Sequence, residues 1–293
     1  MIRALGTTLI GILGLAFGSF LNVCLSRWPT GESIVHPRSH CMSCGRTLAW
    51  WENVPLVSWL ALRGRCRSCR AWIGWRYPLV ELAVGVTWSL IAWRFLDRAL
   101  DLPGTAFSLE LSRIFGRMIF CWLLIALAAF DAEDLWLPDR LTWPGIAIGF
   151  VYSLIPIPFG STFALVHVGN NVHVQAAVAS LISILLAAGL ILLIRWIYWL
   201  IRRREGIGLG DAKLMAMLGA WLGLPGALLS FGLGVVLGSI AALVLLLLPS
   251  MRKSTEGWAN IKLPLGTFLS VGGIVSSLWG ERMIGAYLRW AGF

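Results

Sequence analysis

The sequence predicts an all-α polytopic membrane protein with about eight transmembrane helices. A small cytoplasmic zinc-binding loop domain is expected between the first helix and the second. Three observations carry this reading. Of the 293 residues, 58% are hydrophobic and only 13% charged, about half the charge of an ordinary soluble domain, so polar residues are too few to cover a water-facing surface. Apolar runs near the ~20 residues that cross hydrocarbon recur along the chain. The one long polar stretch between such runs holds two CxxC pairs. A soluble enzyme, a disordered chain and a coiled coil are thereby excluded. Alternating strands of about ten residues, the mark of a transmembrane β-barrel, are absent from the sequence.

In chain order the apolar spans fall at roughly 4–25, 78–96, 114–130, 143–159, 174–200, 212–225, 226–248 and 264–280. The first has one basic residue, Arg3, and no small-x-small cleavage site, so it is expected to stay as a helix rather than serve as a cleavable signal. Residues 26–77 follow, with eight arginines; further basic residues crowd 195–213 (Arg195, Arg202, Arg203, Arg204, Lys213) and 249–263 (Arg252, Lys253, Lys262). The segment 160–173 has none. Positive loops stay in the cytoplasm, which places these three loops inside, 160–173 outside and, with eight crossings, both termini outside. The net charge of +10 then reads as loops held beside anionic lipid and not as a nucleic-acid surface. The expected domains are 1–25, a first transmembrane helix; 26–77, a cytoplasmic zinc-binding domain; and 78–293, a transmembrane core.

At about 50 residues the loop 26–77 is too small for a dependable apolar core and needs a staple. Cys41-Met42-Ser43-Cys44 and Cys66-Arg67-Ser68-Cys69 supply one. Two such knuckles about 20 residues apart present four thiolates as a tetrahedron, which suits a zinc ion. Four protein ligands close the site, so the metal is expected to be structural. A pair of disulfides is the alternative, which a reducing cytoplasmic location disfavours. Cys24 and Cys121 lie inside apolar spans and read as small buried hydrophobes.

Two groups of acids stand out. After the third span comes Asp131-Ala132-Glu133-Asp134, with Asp139 just past Pro138. Acids at a helix C-terminus oppose the macrodipole, and such a local conflict often marks function. Asp131 and Asp134 share a face; Glu133 is about 200° around the helix from Asp131, and Asp134 sits about 4.5 Å nearer the cytoplasm. The second group is Gly208-Leu209-Gly210-Asp211-Ala212-Lys213. The span that Asp211 opens, 212–225, measures roughly 21 Å as helix against a hydrocarbon core of about 30 Å, which sinks this carboxylate below the surface unless the bilayer thins. A carboxylate there needs a cavity or a partner; Lys213 is the partner that would make it an ordinary ion pair. Two aspartates brought close share one proton, so that one activates water while the other protonates a leaving nitrogen. This is aspartyl protease chemistry. The catalytic pair is expected to be Asp131 with Asp211, and Asp134 with Asp211 is the alternative.

Taken in order, Gly18-Ser19-Phe20-Leu21-Asn22-Val23, the two CxxC pairs, Arg76-Tyr77-Pro78-Leu79-Val80-Glu81-Leu82, Asp131 through Leu137-Pro138-Asp139-Arg140, and Gly208-Leu209-Gly210-Asp211-Ala212-Lys213 resemble the bacterial type IV prepilin peptidase family over nearly the whole chain. The resemblance implies a GxGD intramembrane aspartyl protease of the bacterial inner membrane. It would remove the basic leader from type IV prepilins and pseudopilins at the cytoplasmic face, cutting after Gly and before Phe. It would then methylate the new N-terminal amine with S-adenosylmethionine. The catalytic roles carry over to Asp131 and Asp211, with Gly208, Gly210 and Lys213 supporting the second motif. One departure is the segment 156–173, longer than usual before the fifth span. No glycine-rich strand–helix fingerprint of a soluble methyltransferase occurs, so methylation rests on the resemblance alone, through the zinc loop and the Glu81-Leu82-Ala83-Val84-Gly85 stretch; the residues that bind the methyl donor, the particular pilins and the oligomeric state are not assigned. The competing reading is a transporter or ion-conducting protein with an acid-lined pathway, which should carry inverted repeats and acids near the midplane.

Overall fold

A computed structural model describes residues 2–155, 171–204, 206, 208–247 and 263–292. The helices are α1 (Ile2–Arg27), α2 (Val57–Ala61), α3 (Arg76–Leu100), α4 (Gly104–Asp134), α5 (Asp139–Ser153), α6 (Val172–Arg202), α7 (Leu209–Leu247) and α8 (Leu265–Trp290), with a 3₁₀ turn at Trp50–Asn53. Among the described residues there is no β-strand beyond two isolated antiparallel bridges. Residues 156–170, most of the expected segments 156–173 and 160–173, lie outside the described residues, as do Arg252, Lys253 and Lys262.

α1, α3, α4, α6 and α7 are long and apolar enough to cross a membrane. The protein is thus a multi-pass membrane protein. Of the other expected spans, α5 has 15 residues, about 22 Å of helix. α8 is long enough but rich in Gly and Ser, and these are most of the residues it buries, with Leu269 and Leu278. Its neighbours approach it closely through them, the device that replaces hydrophobic driving force between helices in lipid. On α6 the pattern is inverted relative to a soluble protein: Ser180 and Ser183 are buried, while Leu185, Leu193 and Ile201 are exposed. An apolar outer face of this size is stable against lipid tails and not against water.

The chain divides into two compact units, Met1–Ala126 and Leu127–Phe293, with the division inside α4. In the first, α1 and α3 pack along their length. Gly11, Gly14 and Gly18 form a stripe on α1 that meets α3 backbone to backbone: a Cβ on Gly18 would stand 2.6 Å from Cα of Glu81, and one on Gly14 3.0 Å from Cα of Gly85. The indole of Trp88 donates to the Met118 carbonyl (3.1 Å) and ties α3 to α4.

In the second unit α7 is the centre, packed against α5, α6 and α8. It is two helices in one. The expected break at Leu224-Pro225 falls one residue earlier, at Gly223, whose φ of 67° and ψ of 175° interrupt the helix. Pro225 then sits in the first turn of the second half, where its missing N–H costs nothing. The Leu224 N–H is taken by the Ser183 hydroxyl (3.0 Å) from α6. Gly272 of α8 lies against the Ser230 carbonyl so closely that an added Cβ has no room. Gly272→Val should therefore cost about 1–3 kcal/mol or more from overpacking, read as a lower unfolding temperature in detergent; an unchanged temperature would refute backbone-level contact there.

Candidate active site and cysteine centre

α4 ends where Leu135 turns left-handed, at φ 51°, before the chain reaches Pro138. This leaves Asp131 in the last turn, and it is 6% exposed. Glu133, Asp134 and Asp139 are all exposed. The Asp131 Oδ2 accepts the Thr267 N–H at 2.6 Å. The Thr267 hydroxyl lies within reach of two acceptors, Asp131 Oδ2 at 3.1 Å and the Ala128 carbonyl at 3.0 Å. Thr267 is in the first turn of α8, whose own N-cap is Pro264 and offers no side-chain acceptor. Helix N-termini carry unpaired N–H groups, and here a carboxylate far away in sequence takes one of them.

Asp211 lies in the first turn of α7 and is 8% exposed. Its Oδ2 accepts the Gly208 N–H at 3.2 Å. In each aspartate, then, one oxygen is anchored by a main-chain amide of a glycine-containing segment. The helix starts beside the two carboxylates converge on Leu137. A Cβ on Gly210 would meet Leu137 at 3.1 Å, and a Cβ on Gly266 would meet both Leu137 (3.1 Å) and the Asp131 carboxyl carbon (3.0 Å). Glycine at 210 and 266 is what lets α7, α8 and the Leu137 side chain converge. Asp131 is near enough to Asp211 to act on it as a like charge. Lys213 does not pair with Asp211; its ammonium donates to Asp139 Oδ1 at 2.5 Å, which removes the ion-pair alternative for Asp211. Thr267 and Gly266 were not singled out by sequence reasoning. The only signal was Pro264-Leu265-Gly266-Thr267, a proline followed by glycine at a helix start.

The cysteine loop is built from two near-identical knuckles. Each is closed by an antiparallel bridge, His40 with Thr47 and Arg65 with Trp72. Cys41 N–H donates to the Arg46 carbonyl and Cys66 N–H to the Ala71 carbonyl, at 2.9 and 2.8 Å. The left-handed position is Gly45 (φ 70°) in the first and Arg70 (φ 61°) in the second. Main-chain N–H groups of Cys44 and Ser43 hold the Cys41 thiol below its ordinary range. Those of Cys69 and Ser68 bring the Cys66 thiol down to about 6. The first cysteine of each knuckle is thus held toward thiolate, the form that ligates metal, while at Cys69 the Ala71 amide, which lowers the thiol, is outweighed by burial and the neighbouring sulfurs of Cys66, Cys44 and Cys41, which push it up to about 11. The sulfurs of Cys41, Cys44, Cys66 and Cys69 lie within 4.8 Å of one another, with Cys41 and Cys69 3.8 Å apart. A tetrahedron of Zn–S bonds of about 2.3 Å has edges of about 3.8 Å, so the donor set can hold a zinc ion. Around it, Glu52 accepts from the Ala49 N–H (2.8 Å) and the Arg46 guanidinium (2.6 Å), which together hold its carboxyl below the usual range. The rings of Trp59, Trp72 and Trp75 pack with centroids 4.6–5.9 Å apart.

Residues 12–95 match the family description "Bacterial Peptidase A24 N-terminal domain", and residues 118–243 match "Type IV leader peptidase family". A prepilin leader peptidase/N-methyltransferase from Pseudomonas aeruginosa is 32% identical, over 96% of this chain and 93% of its own. One from Stutzerimonas stutzeri is 33% identical over the same shares, and one from Burkholderia pseudomallei is 37% identical over 92% and 84%. No solved structure matches. With its two buried aspartates on the segments these relatives share, the chain belongs to the type IV leader peptidase family.

Proposed function

We propose that this protein is a bifunctional membrane enzyme that removes the leader from type IV prepilins, and from pseudopilins with the same leader logic, and then methylates the new N-terminal amine. The observation that carries the proteolytic half is the pair of buried carboxylates at helix ends, each with one oxygen anchored by a main-chain N–H. Anchoring fixes the orientation of both acids, and burial excludes bulk water from competing. Sharing one proton, one aspartate takes a proton from the attacking water while the other gives its proton to the departing amide nitrogen. Asp131 and Asp211 are the catalytic residues in this reading, Gly208 and Gly210 shape the second motif, and Lys213 with Asp139 tethers α7 to the start of α5.

Cys41, Cys44, Cys66 and Cys69 would hold one zinc, which supplies folding free energy to a loop with little core of its own. S-adenosylmethionine would supply the methyl group. The basic loops 26–77 and 195–213, read by the positive-inside rule, support a site at the cytoplasmic face of the inner membrane. An engineered cysteine at Arg203 should resist membrane-impermeant labelling in intact spheroplasts; labelling from outside would reverse the topology. The transporter reading has less support, since the buried acids sit at helix ends and not near a midplane.

Incubating the purified protein with a full-length prepilin and S-adenosylmethionine tests the reading. Mass spectrometry should report leader loss and methyl gain as separate mass changes; an intact prepilin would refute it. Thr267→Val tests the geometry. It keeps the main-chain donor and removes the hydroxyl, which at the usual 1.5–3 kcal/mol for a hydrogen bond to a charged group should lower kcat by roughly tenfold or more with little change in KM.

A further inference from the structure

The cysteine loop carries an apolar surface that neither the four sulfurs nor the aspartates use. Trp50 is 72% exposed, Trp51 50%, Val57 62% and Leu60 66%. All four lie between the two knuckles, on the 3₁₀ turn and α2, and the two indoles meet edge to face with centroids 5.5 Å apart. Large apolar side chains left bare this densely mark an interaction surface. The place of this segment follows from its bonds to the membrane helices. The Leu56 N–H donates to Glu81 Oε2 at 2.8 Å, and the same carboxylate accepts the Ser19 hydroxyl. Ser19 stands eight residues before Arg27, the end of α1, which is about 12 Å of helix. Glu81 stands five residues past Arg76, the start of α3, about 7.5 Å. The headgroup layer on each side of the hydrocarbon is about 5–8 Å thick. Leu56 and its neighbours are therefore held beside the two helices at the level of the bilayer boundary, and not above it. The main chain is closed to match. The N–H groups of Val57, Ser58, Leu60 and Leu62 bond to the carbonyls of Pro55, Val54, Leu56 and Ser58, and the Trp59 indole donates to the Ile73 carbonyl at 3.1 Å. Such closure is what a water-poor layer demands of a backbone.

Past Leu60 the chain turns basic. Arg63, Arg65, Arg67 and Arg70 are all exposed. The one acid between residues 50 and 70 is Glu52, and it is committed to Arg46 and the Ala49 N–H. Tryptophan is at home at the membrane–water boundary, and basic side chains beside that boundary are drawn to anionic headgroups. We propose that Trp50–Leu60 is an interfacial anchor. Trp50, Trp51, Val57 and Leu60 enter the leaflet that adjoins the loop, and Arg63 and Arg65 bind the phosphates of its anionic lipids. The loop is tied at both ends to helices that are long and apolar enough to cross that same bilayer, so this partner is always within reach and needs no encounter. The cysteine loop is then seated in the membrane surface instead of standing free in water, and lipid, together with the Leu56–Glu81 bond, sets how it lies on α1 and α3. The proposal goes beyond the proteolytic and methyl-transfer readings and stands whether or not they do.

The test uses the full-length protein in nanodiscs of phosphatidylethanolamine with a minor share of phosphatidylglycerol. The photoreactive residue benzoylphenylalanine replaces Trp50 in one variant and Leu60 in another, and mass spectrometry identifies what each captures on illumination. Phospholipid adducts should dominate at both positions. The phosphatidylglycerol share of those adducts should exceed its share of the bilayer, and should fall to that share when Arg63→Gln and Arg65→Gln are added. All variants should unfold within a few degrees of wild type; if the Trp50 variant does not fold, the Leu60 position decides. Capture of a second copy of the chain, or of added prepilin, in preference to lipid overturns the anchor, as does the absence of lipid adducts. Lipid adducts with no phosphatidylglycerol enrichment before the arginines are changed overturn the role given to Arg63 and Arg65.

Discussion

Replacing Asp131 or Asp211 by Asn is expected to abolish leader cleavage. The substitution keeps side-chain shape and a carbonyl acceptor for the Thr267 or Gly208 amide, so the helix starts should survive. On the proposed mechanism the substitution removes the group that gives and takes the proton, worth typically 10²–10⁴ in rate for one acid or base; in a pair that acts as a unit, either loss should equal nearly the whole effect. Glu133→Gln and Asp139→Asn, both at exposed side chains, should retain substantial cleavage. Methyl transfer to a pre-cleaved pilin peptide should be largely intact in the two dyad variants, because attack of an amine on a methyl group needs no carboxylate pair. Near wild-type cleavage by Asp131→Asn would move the role to Asp134, the acid that shares its face.

The second large effect concerns the cysteine loop. Cys41→Ser should lower zinc from close to one ion per chain to a small fraction, measured by elemental analysis of purified protein. Structural zinc contributes on the order of 10–16 kcal/mol to folding of small domains. The alternative core here is a cluster of three tryptophans and short turns. Expression and methylation should fall together. Full zinc retention would mean that Cys41 is not a ligand.

Much of this was legible in the sequence because its signals are local. The cysteine spacing placed both knuckles, and Gly45, a residue type suited to positive φ, takes the left-handed turn of the first. Arg70 fills the same position in the second, which no residue preference would have pointed out. The break in α7 was read from Pro225 and fell within two residues of Gly223. The start of α4 was read ten residues late, at 114 instead of Gly104. Its first turns carry Ser108, Glu110, Ser112 and Arg113, which weaken the apolar signal although the Glu110–Arg113 pair bonds internally at 2.8 Å. What stayed hidden was non-local. Thr267 is an ordinary polar residue until α8 folds back on Asp131, and Asn22 carries no sign in sequence that its Oδ1 is buried without a hydrogen-bond partner. The fate of Lys213 was likewise decided by tertiary geometry, since Asp139 is 74 residues away.

The glycine stripe on α1 has a thermodynamic consequence for the cavity of about 350 Å³ lined by residues of α1, α3 and the cysteine loop, Asn22 and Glu81 among them. Where Gly14 and Gly18 meet α3, main chain lies on main chain, and no rotamers there remain to be frozen. Ordering a flexible side chain costs up to about 2 kcal/mol, and a recognition surface resting on such chains loses part of its affinity to that entropy. Asn22 stands one helical turn beyond Gly18, and Glu81 is the residue Gly18 touches, so the spacing between the two is set by backbone contact before any ligand arrives. A small molecule entering there meets a preorganised surface and keeps more of its binding energy.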